Sequence, residues 1–275
     1  FLGLKEDDSA LLCMPLQYIA GKMVVVRSLV AGLKLIPVAP SGHPLKDLKE
    51  APTFAAMIPM QVYNTLQVLE EKAILMNIKH LIIGGGAIDN ALASELKDFP
   101  NQVWSTYGMT ETLSHIALRR LNGENASDWY TPFDSVNIRL SEEGTLIIHA
   151  PNVCAEELTT NDIAEINEEG KFRILGRKDN TINSGGVKIQ IEQVEAALKA
   201  HLDIPFQITA RKDAKFGEIV VLIYNKVKDE ASVRQACEEA LPTYWVPKAY
   251  IAVDELPMTG TGKPDRATAR RIASL

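Results

Sequence analysis

Five consecutive residues, Tyr107-Gly108-Met109-Thr110-Glu111, hold groups suited to a nucleotide and its metal. An aromatic face can stack on adenine, and a glycine lets backbone approach closely. The Thr110 hydroxyl can meet a phosphate oxygen, and Glu111 offers the hard oxygen that Mg²⁺ takes. Taken alone, Thr110 and Glu111 also describe a polar cap on a helix starting at Thr110. Upstream, Leu81-Ile82-Ile83 runs into Gly84-Gly85-Gly86-Ala87. A strand, a glycine turn and a helix let backbone approach a nucleotide, although a tight turn without a ligand reads the same way. Downstream, residues 176–188 join a charged turn (Gly176-Arg177-Lys178-Asp179) to a paired glycine loop (Ser184-Gly185-Gly186). That pattern suits a joint between two domains and equally an ordinary hairpin. Near the end, Thr259-Gly260-Thr261-Gly262-Lys263 sets a lysine beside glycines. On an extendable loop such a lysine can reach into another domain's site and withdraw, or be a solvated charge, as most lysines are.

The elements that must position these groups follow from periodicity. Residues 11–38 alternate short apolar runs with Pro15, Gly21, Gly32 and Pro37, which predicts strand, helix and strand. Pro59 suits a first helical turn, and Val62, Leu66, Leu69 and Ala73 follow at helical spacing. A buried strand at 81–83 and a helix carrying Ala91, Leu92 and Leu96 come next. Residues 103–106 then deliver the pentapeptide to the carboxyl end of a sheet, where α/β ligand sites gather. Short strands are predicted at 136–140, 145–150, 163–166 and 172–175, with turns at Glu142-Glu143-Gly144 and Glu168-Glu169-Gly170. Past the glycine pair, Ile191, Val194, Ala197 and Leu198 keep helical spacing, as do Val233, Ala236, Cys237 and Ala240. Strands are expected at 206–210, 219–224 and 250–253. The predicted fold is α/β: a large α/β domain over residues 1–178 with a distorted antiparallel β subdomain, then a small α+β domain over 179–275.

Composition narrows the class. With 275 residues, 46% hydrophobic and 23% charged, the chain can bury a sizeable core and is neither disordered nor fibrous. A net charge of -6 and no basic tract argue against nucleic acid as a partner. The apolar stretch 23–38 is interrupted by Arg27 and Lys34 and is too short for a membrane span. Three scattered cysteines without metal-ligand spacing suit a reducing compartment, hence the cytoplasm. The start at Phe1, without an initiator methionine, suggests the later part of something longer.

In their order, the pentapeptide, Asp162, residues 176–188 and Pro257-Met258-Thr259-Gly260-Thr261-Gly262-Lys263 resemble the AMP-forming acyl/aryl-CoA synthetases of the adenylate-forming superfamily. The resemblance covers nearly the whole chain. It implies that a carboxylate attacks the α-phosphorus of ATP, with Mg²⁺ present, and that coenzyme A then takes the acyl group. It implies roles as well. Lys263, Thr110 and Glu111 would be catalytic, with Glu111 holding the metal. Gly84, Gly85, Gly86 and Ala87 would lie against adenine with Tyr107 and Gly108, Asp162 would take the ribose hydroxyls, and Arg177 would contact ribose and phosphate. Asp179 would be the hinge of a mobile C-terminal domain, and Ser184, Gly185 and Gly186 would make room for pantetheine. Tyr18, in Met14-Pro15-Leu16-Gln17-Tyr18-Ile19-Ala20-Gly21, stands where the family often closes the acyl pocket with histidine. Gly21, Ser114 and His115 are assigned to the same pocket. The resemblance leaves room for a homodimer.

Two departures matter. The family's Ser/Thr/Gly-rich phosphate loop normally precedes the segment at Met14, and nothing in residues 1–13 resembles it; a longer natural chain is expected, and this stretch alone should be poorly active. At the ribose position the usual glycine before the aspartate is Asn161, which tolerates left-handed geometry. Within the superfamily, residues 109–116 are similar to the o-succinylbenzoate-CoA ligases of menaquinone synthesis. Such a substrate carries a second carboxylate and a keto group, for which Lys22, Arg27 and His115 are candidate partners. An amino-acid adenylation domain and a non-catalytic binding relative are the rivals. The first usually places an acidic residue early in the pocket for the amino group, and this chain shows no convincing one after Met14; the second is disfavoured by Glu111 and Lys263.

Overall fold

A computed structural model describes residues 1–86, 88, 90–259 and 264–275. The chain divides into two compact units, one of residues 1–139, 147–158 and 166–173, the other of 140–146, 159–165 and 174–275.

The first unit holds β1 (Ser9–Leu12), α1 (Ile19–Ala31), β2 (Lys34–Pro37), β3 (Phe54–Met57), α2 (Pro59–Leu66), α3 (Leu69–Asn77), β4 (His80–Ile83), α4 (Asn90–Leu96), β5 (Gln102–Gly108), β6 (His115–Arg120) and β7 (Thr131–Pro132). They form one sheet in the order β2-β1-β3-β4-β5-β6-β7. Pairing is parallel from β2 to β5 and antiparallel beyond it. Alternation along the strands sends Leu11, Leu81, Ile83 and Val103 to one face, where they meet Val62, Leu75 and Leu96 of α2, α3 and α4. Ala10, Leu12, Phe54 and Ile82 face the other way, onto Val24 of α1. Burial on both faces explains why these strands read as unbroken apolar runs. The helix α1 ends at Gly32, whose left-handed φ of 65° lets its N–H reach the Ser28 carbonyl.

The strand order places a switch point between β1 and β3. From β1 the chain leaves through α1 to β2 on one side, then returns across β1 to β3 on the other. Connections depart in opposite directions there, and a crevice opens outside the carboxyl ends.

Four further strands, β8 (Asn137–Leu140), β9 (Thr145–His149), β10 (Leu158–Ile166) and β11 (Phe172–Arg177), make a sheet in the order β11-β10-β9-β8. Its turns are closed by Gly144 N–H donating to Ser141 O and by Gly170 N–H donating to Asn167 O, each at 3.0 Å. Both fall where the sequence placed them.

The second unit continues with β12 (Thr181–Ser184), β13 (Val187–Gln190), α5 (Ile191–Leu198), β14 (Phe206–Asp213), β15 (Gly217–Asn225), α6 (Glu230–Ala240), β16 (Ala249–Val253) and α7 (Arg266–Ala273). Its sheet runs β13-β12-β15-β14, with β16 also paired to β15. Ile182, Ile189, Ile208 and Leu222 pack on Val194, Leu198, Val233 and Cys237 of α5 and α6. A second cluster joins Ile219, Val221 and Ala273.

Two expectations need correction. The stripe from Val62 to Ala73 is not one helix: the chain breaks at 67–68, and Leu69 is 82% exposed at the start of α3. Asp162 does not precede a strand but lies inside β10, which begins at Leu158. No described helix is long and apolar enough to cross a membrane.

One position carries a sharp steric demand. A Cβ at Gly108 would stand 2.2 Å from Ser114 O and 2.5 Å from His115 Cα, both backbone atoms. Gly108→Ala is expected to cost about 1–3 kcal/mol through forced backbone shifts. Gly144→Ala, where φ is +78° and nothing lies within 4 Å, should cost only its backbone strain of about 1 kcal/mol. Urea unfolding of both variants measures this, and a Gly108→Ala protein as stable as the parent would contradict the close approach.

Candidate active site

The switch-point crevice is a cleft of about 240 Å³ in the first unit. Met14 follows β1, Ile58 follows β3, Gly84 and Gly85 follow β4, and Gly108 closes β5, so the carboxyl ends of four strands supply one wall. Arg27, Ser114 and His115 form its polar end.

Local structure explains how the pentapeptide reaches the cleft. The β5–β6 register pairs Tyr107 with Ala117 but Gly108 with His115, a bulge that re-aims the chain. Between the strands, Thr110–Thr112 makes a 3₁₀ turn. The Met109 N–H donates to Thr112 Oγ1 at 3.1 Å, and that hydroxyl donates to Ser114 O at 2.7 Å. Leu113 follows at φ 59°, a conformation non-glycine residues rarely adopt, and it lines the cleft.

The polar end is a relay of three groups. Arg27 donates through Nη2 to Ser114 Oγ, and Ser114 Oγ lies 3.2 Å from His115 Nδ1. A guanidinium only donates, so Ser114 Oγ accepts from it and passes its own proton toward Nδ1, which assigns the His115 proton to Nε2. Burial, with the Arg27 charge second, pulls the His115 pKa down to about 4, and burial alone lowers that of Arg27. His115 is therefore neutral at pH 7 while Arg27 keeps its charge. One cation and a neutral hydroxyl and imidazole at the end of an apolar cleft suit an anionic or carbonyl-bearing group on an otherwise apolar ligand.

The structure brings together Gly84, Gly85, Gly108, Thr110, Ser114 and His115 around the cleft. Gly86 and Glu111 are exposed beside it. Tyr107 points to the opposite face of β5 from Thr106 and Gly108. Its ring meets Phe172 edge-on at 5.1 Å and Tyr130 at 5.9 Å. Tyr18 stands at the N-cap of α1, 53% exposed and outside the cleft lining. Gly21 is buried in the same helix, where a Cβ would come 2.5 Å from Pro15 O. Of the three candidate partners for a second carboxylate, Arg27 and His115 line the cleft, whereas Lys22 is exposed outside it. Ala87 and Lys263 lie outside the described residues.

In the second unit, Arg177 donates through Nη1 to Asp162 Oδ1 at 3.0 Å and through Nη2 to Asp179 Oδ2 at 3.2 Å. Ser184 pairs with Val187 across Gly185 and Gly186, whose φ values of 59° and 85° fit a two-residue type I′ hairpin turn. The hairpin reading of that loop holds. Sequence reasoning passed over Leu113 and left Arg27 unranked. Arg27 had a signal, a lone charge inside the apolar run of α1.

Comparison with known proteins adds lineage. The profile of AMP-binding enzymes matches residues 1–153, and that of the AMP-binding enzyme C-terminal domain matches residues 193–263. A 2-succinylbenzoate–CoA ligase from Bacillus mycoides is 26% identical over 303 aligned positions, which take in 98% of this chain and 63% of that protein. The chain thus spans about 63% of the length of this curated relative. Among solved structures, an AMP-forming acyl-CoA synthetase/AMP-acid ligase II-like protein from Dyadobacter fermentans is 32% identical. That match covers 97% of this chain and 79% of the other, with a TM-score of 0.63. The o-succinylbenzoate CoA synthetase of Bacillus subtilis, solved with ATP and magnesium, is 22% identical at a TM-score of 0.77 and covers 97% of this chain and 62% of its own. The switch-point cleft, the bulged Gly108 and these matches lead to one lineage: the chain belongs to the AMP-binding enzyme family.

Proposed function

We propose that this protein activates a carboxylic acid with ATP and passes the acyl group to coenzyme A, and that the acid is o-succinylbenzoate. The observation that carries the choice of acid is the Arg27–Ser114–His115 relay at the end of an apolar cleft. An aryl keto acid with two carboxylates offers one to react and one to be held. Arg27 neutralises the held carboxylate, and the uncharged Ser114 and His115 supply neutral hydrogen-bonding groups beside it. A cation at this end, rather than a carboxylate, supports such an acid over an amino acid.

In the first half-reaction a carboxylate oxygen of the acid bonds to the α-phosphorus, and the bond from that phosphorus to pyrophosphate breaks. Thr110 meets a phosphate oxygen, and the Lys263 ammonium offsets charge gathering on the phosphates. Gly84, Gly85, Gly86 and Gly108 give backbone access to the adenine. Asp162 and Arg177 take ribose and phosphate. Glu111 fits a Mg²⁺ role as one exposed hard-oxygen donor. No group of three metal-ligating side chains gathers among the described residues, so such an ion would rest largely on the substrate's phosphates. When bound, Mg²⁺ supplies charge neutralisation on those phosphates. In the second half-reaction the thiolate of coenzyme A bonds to the acyl carbon and the bond to AMP breaks. Asp179 acts as the hinge, and the bare Ser184-Gly185-Gly186 hairpin leaves room for the pantetheine arm. ATP and coenzyme A as substrates favour a cytoplasmic protein.

Pyrophosphate exchange driven by a panel of acids, run on the full-length chain, tests the reading. Signal with o-succinylbenzoate and none with fatty or amino acids is expected, and the reverse pattern rejects it. Arg27→Met should raise KM for o-succinylbenzoate at least about tenfold, and much less for a monocarboxylic aryl acid. Lys263→Ala should slow adenylate formation about tenfold to a thousandfold while sparing thioester formation from supplied acyl-adenylate; equal loss in both steps would refute that division of labour.

The depressed His115 pKa gives a test without catalysis. Its folded value, about 4, lies below the unfolded value near 6.5, so between the two the unfolded chain binds more protons. His115 therefore removes stability as pH falls from about 7 to about 4, by at most about 3 kcal/mol, and adds no slope below that. Unfolding curves of the parent and His115→Gln at pH 7.5 and 4.5 should differ in this slope, the variant being the less acid-sensitive.

A further inference from the structure

The turn at Lys178–Asn180 is tied by all three of its side chains. Lys178 Nζ meets Glu143 Oε2 at 2.6 Å, and Asn180 Nδ2 donates to Glu192 Oε1. Asp179 Oδ2 accepts from Arg177 Nη2 and from Asn161 Nδ2, each at 3.2 Å. The Asn161 bond depends on a side chain that the resemblance does not lead one to expect at this position. The family pattern has glycine there, and glycine has no side chain with which to donate.

We infer that Asn161 is a positioning residue that braces the hinge residue Asp179, an inference that rests on the adenylating reading of the site. The Asp179 side chain leaves the backbone between φ and ψ. When its carboxylate is held by Asn161 of β10 and Arg177 of β11, rotation about φ must break both bonds, whereas rotation about ψ leaves them intact. The brace therefore confines the first part of a swing to one torsion. Both bonds are exposed, so each is weak enough to break in every cycle. Arg177 also serves Asp162, and a phosphate that recruits Arg177 competes with the Arg177–Asp179 tie and leaves Asn161 holding the carboxylate.

Two substitutions separate the brace from general packing: Asn161→Ala removes the donor, and Asn161→Asp keeps the size but replaces the donor with a like charge. Amide hydrogen exchange over residues 178–181 should rise about two- to fivefold in both variants, as expected for one exposed bond, while exchange over β14 stays at the parent rate. Parent-like exchange over 178–181 in both variants overturns the brace. The ratio of pyrophosphate exchange to thioester formation from supplied acyl-adenylate should shift by a similar factor, with KM for ATP changed less. Raised exchange with an unchanged ratio overturns the positioning role. With the full-length natural chain as parent, inactivity in both half-reactions together with raised exchange in the variants overturns the adenylating reading and leaves the tie itself standing.

Discussion

No side chain fits at residue 108, and the cleft is built around that fact. The backbone of Gly108 lies so close to Ser114 and His115 that even a methyl group would overlap the Ser114 carbonyl. The approach lets β5 reverse into β6 through a bulge and a 3₁₀ turn within six residues. Ser114 and His115 therefore face back over the strand that delivered them, toward Arg27 of α1. Without this fold-back, one end of the crevice would lack its polar groups. The strained Leu113 is the cost of so tight a reversal.

The crevice itself comes from topology. Because α1 covers one face and α2 to α4 the other, the connections after β1 and β3 part and leave a gap between them. Its walls are mainly apolar, which desolvates whatever lies within. That is why His115 loses its proton affinity and why the Arg27 charge, seldom far from a partner when buried, finds one in the Ser114 hydroxyl. On the proposed reading, such a site discriminates by leaving Arg27 under-compensated unless the ligand brings an anion. Selection then arises from the penalty for the wrong ligand as much as from attraction to the right one.

Much of this was legible in the sequence. Short apolar runs ended by glycine or proline marked β1 and β4, because burial on both faces leaves no polar positions to blur them, whereas β3 was not predicted. Glycine-bearing turns marked the hairpins at 141–144 and 167–170. The pentapeptide marked the cleft, since Gly108 and Thr110 do line it. Side-chain direction was less legible. Tyr107 sits one residue from Gly108, yet alternation sends its ring to the other face, onto Phe172 and Tyr130. Leu69 kept helical phase with Leu66 but lies beyond a chain break that no glycine or proline announces. Arg27 could be listed among candidates but not ranked above Lys22, because both sit on α1 and only their rotation about the helix axis separates them.

In the second unit the hairpin and the residues on either side of 260–263 are anchored far apart. Its bare hairpin is fixed to the sheet where Ser184 pairs with Gly217, at the start of β15. Residues 257–258 and 264–265 are fixed at the other end. Gln207 Nε2 donates to Pro257 O at 2.8 Å, the Asp265 N–H donates to the same carbonyl at 3.0 Å, and Met258 bridges to Pro264. Gln207 lies six residues along β14 from Asp213, the partner of Gly217, so the two anchors stand roughly 20 Å apart at about 3.3 Å per residue. A sheet backed by a closed core does not bend enough to bring both ends to one point. If, as proposed, the lysine serves one step and the hairpin another, the sheet that carries their anchors must turn between them, and ties as weak and exposed as those at Asp179 permit such a turn.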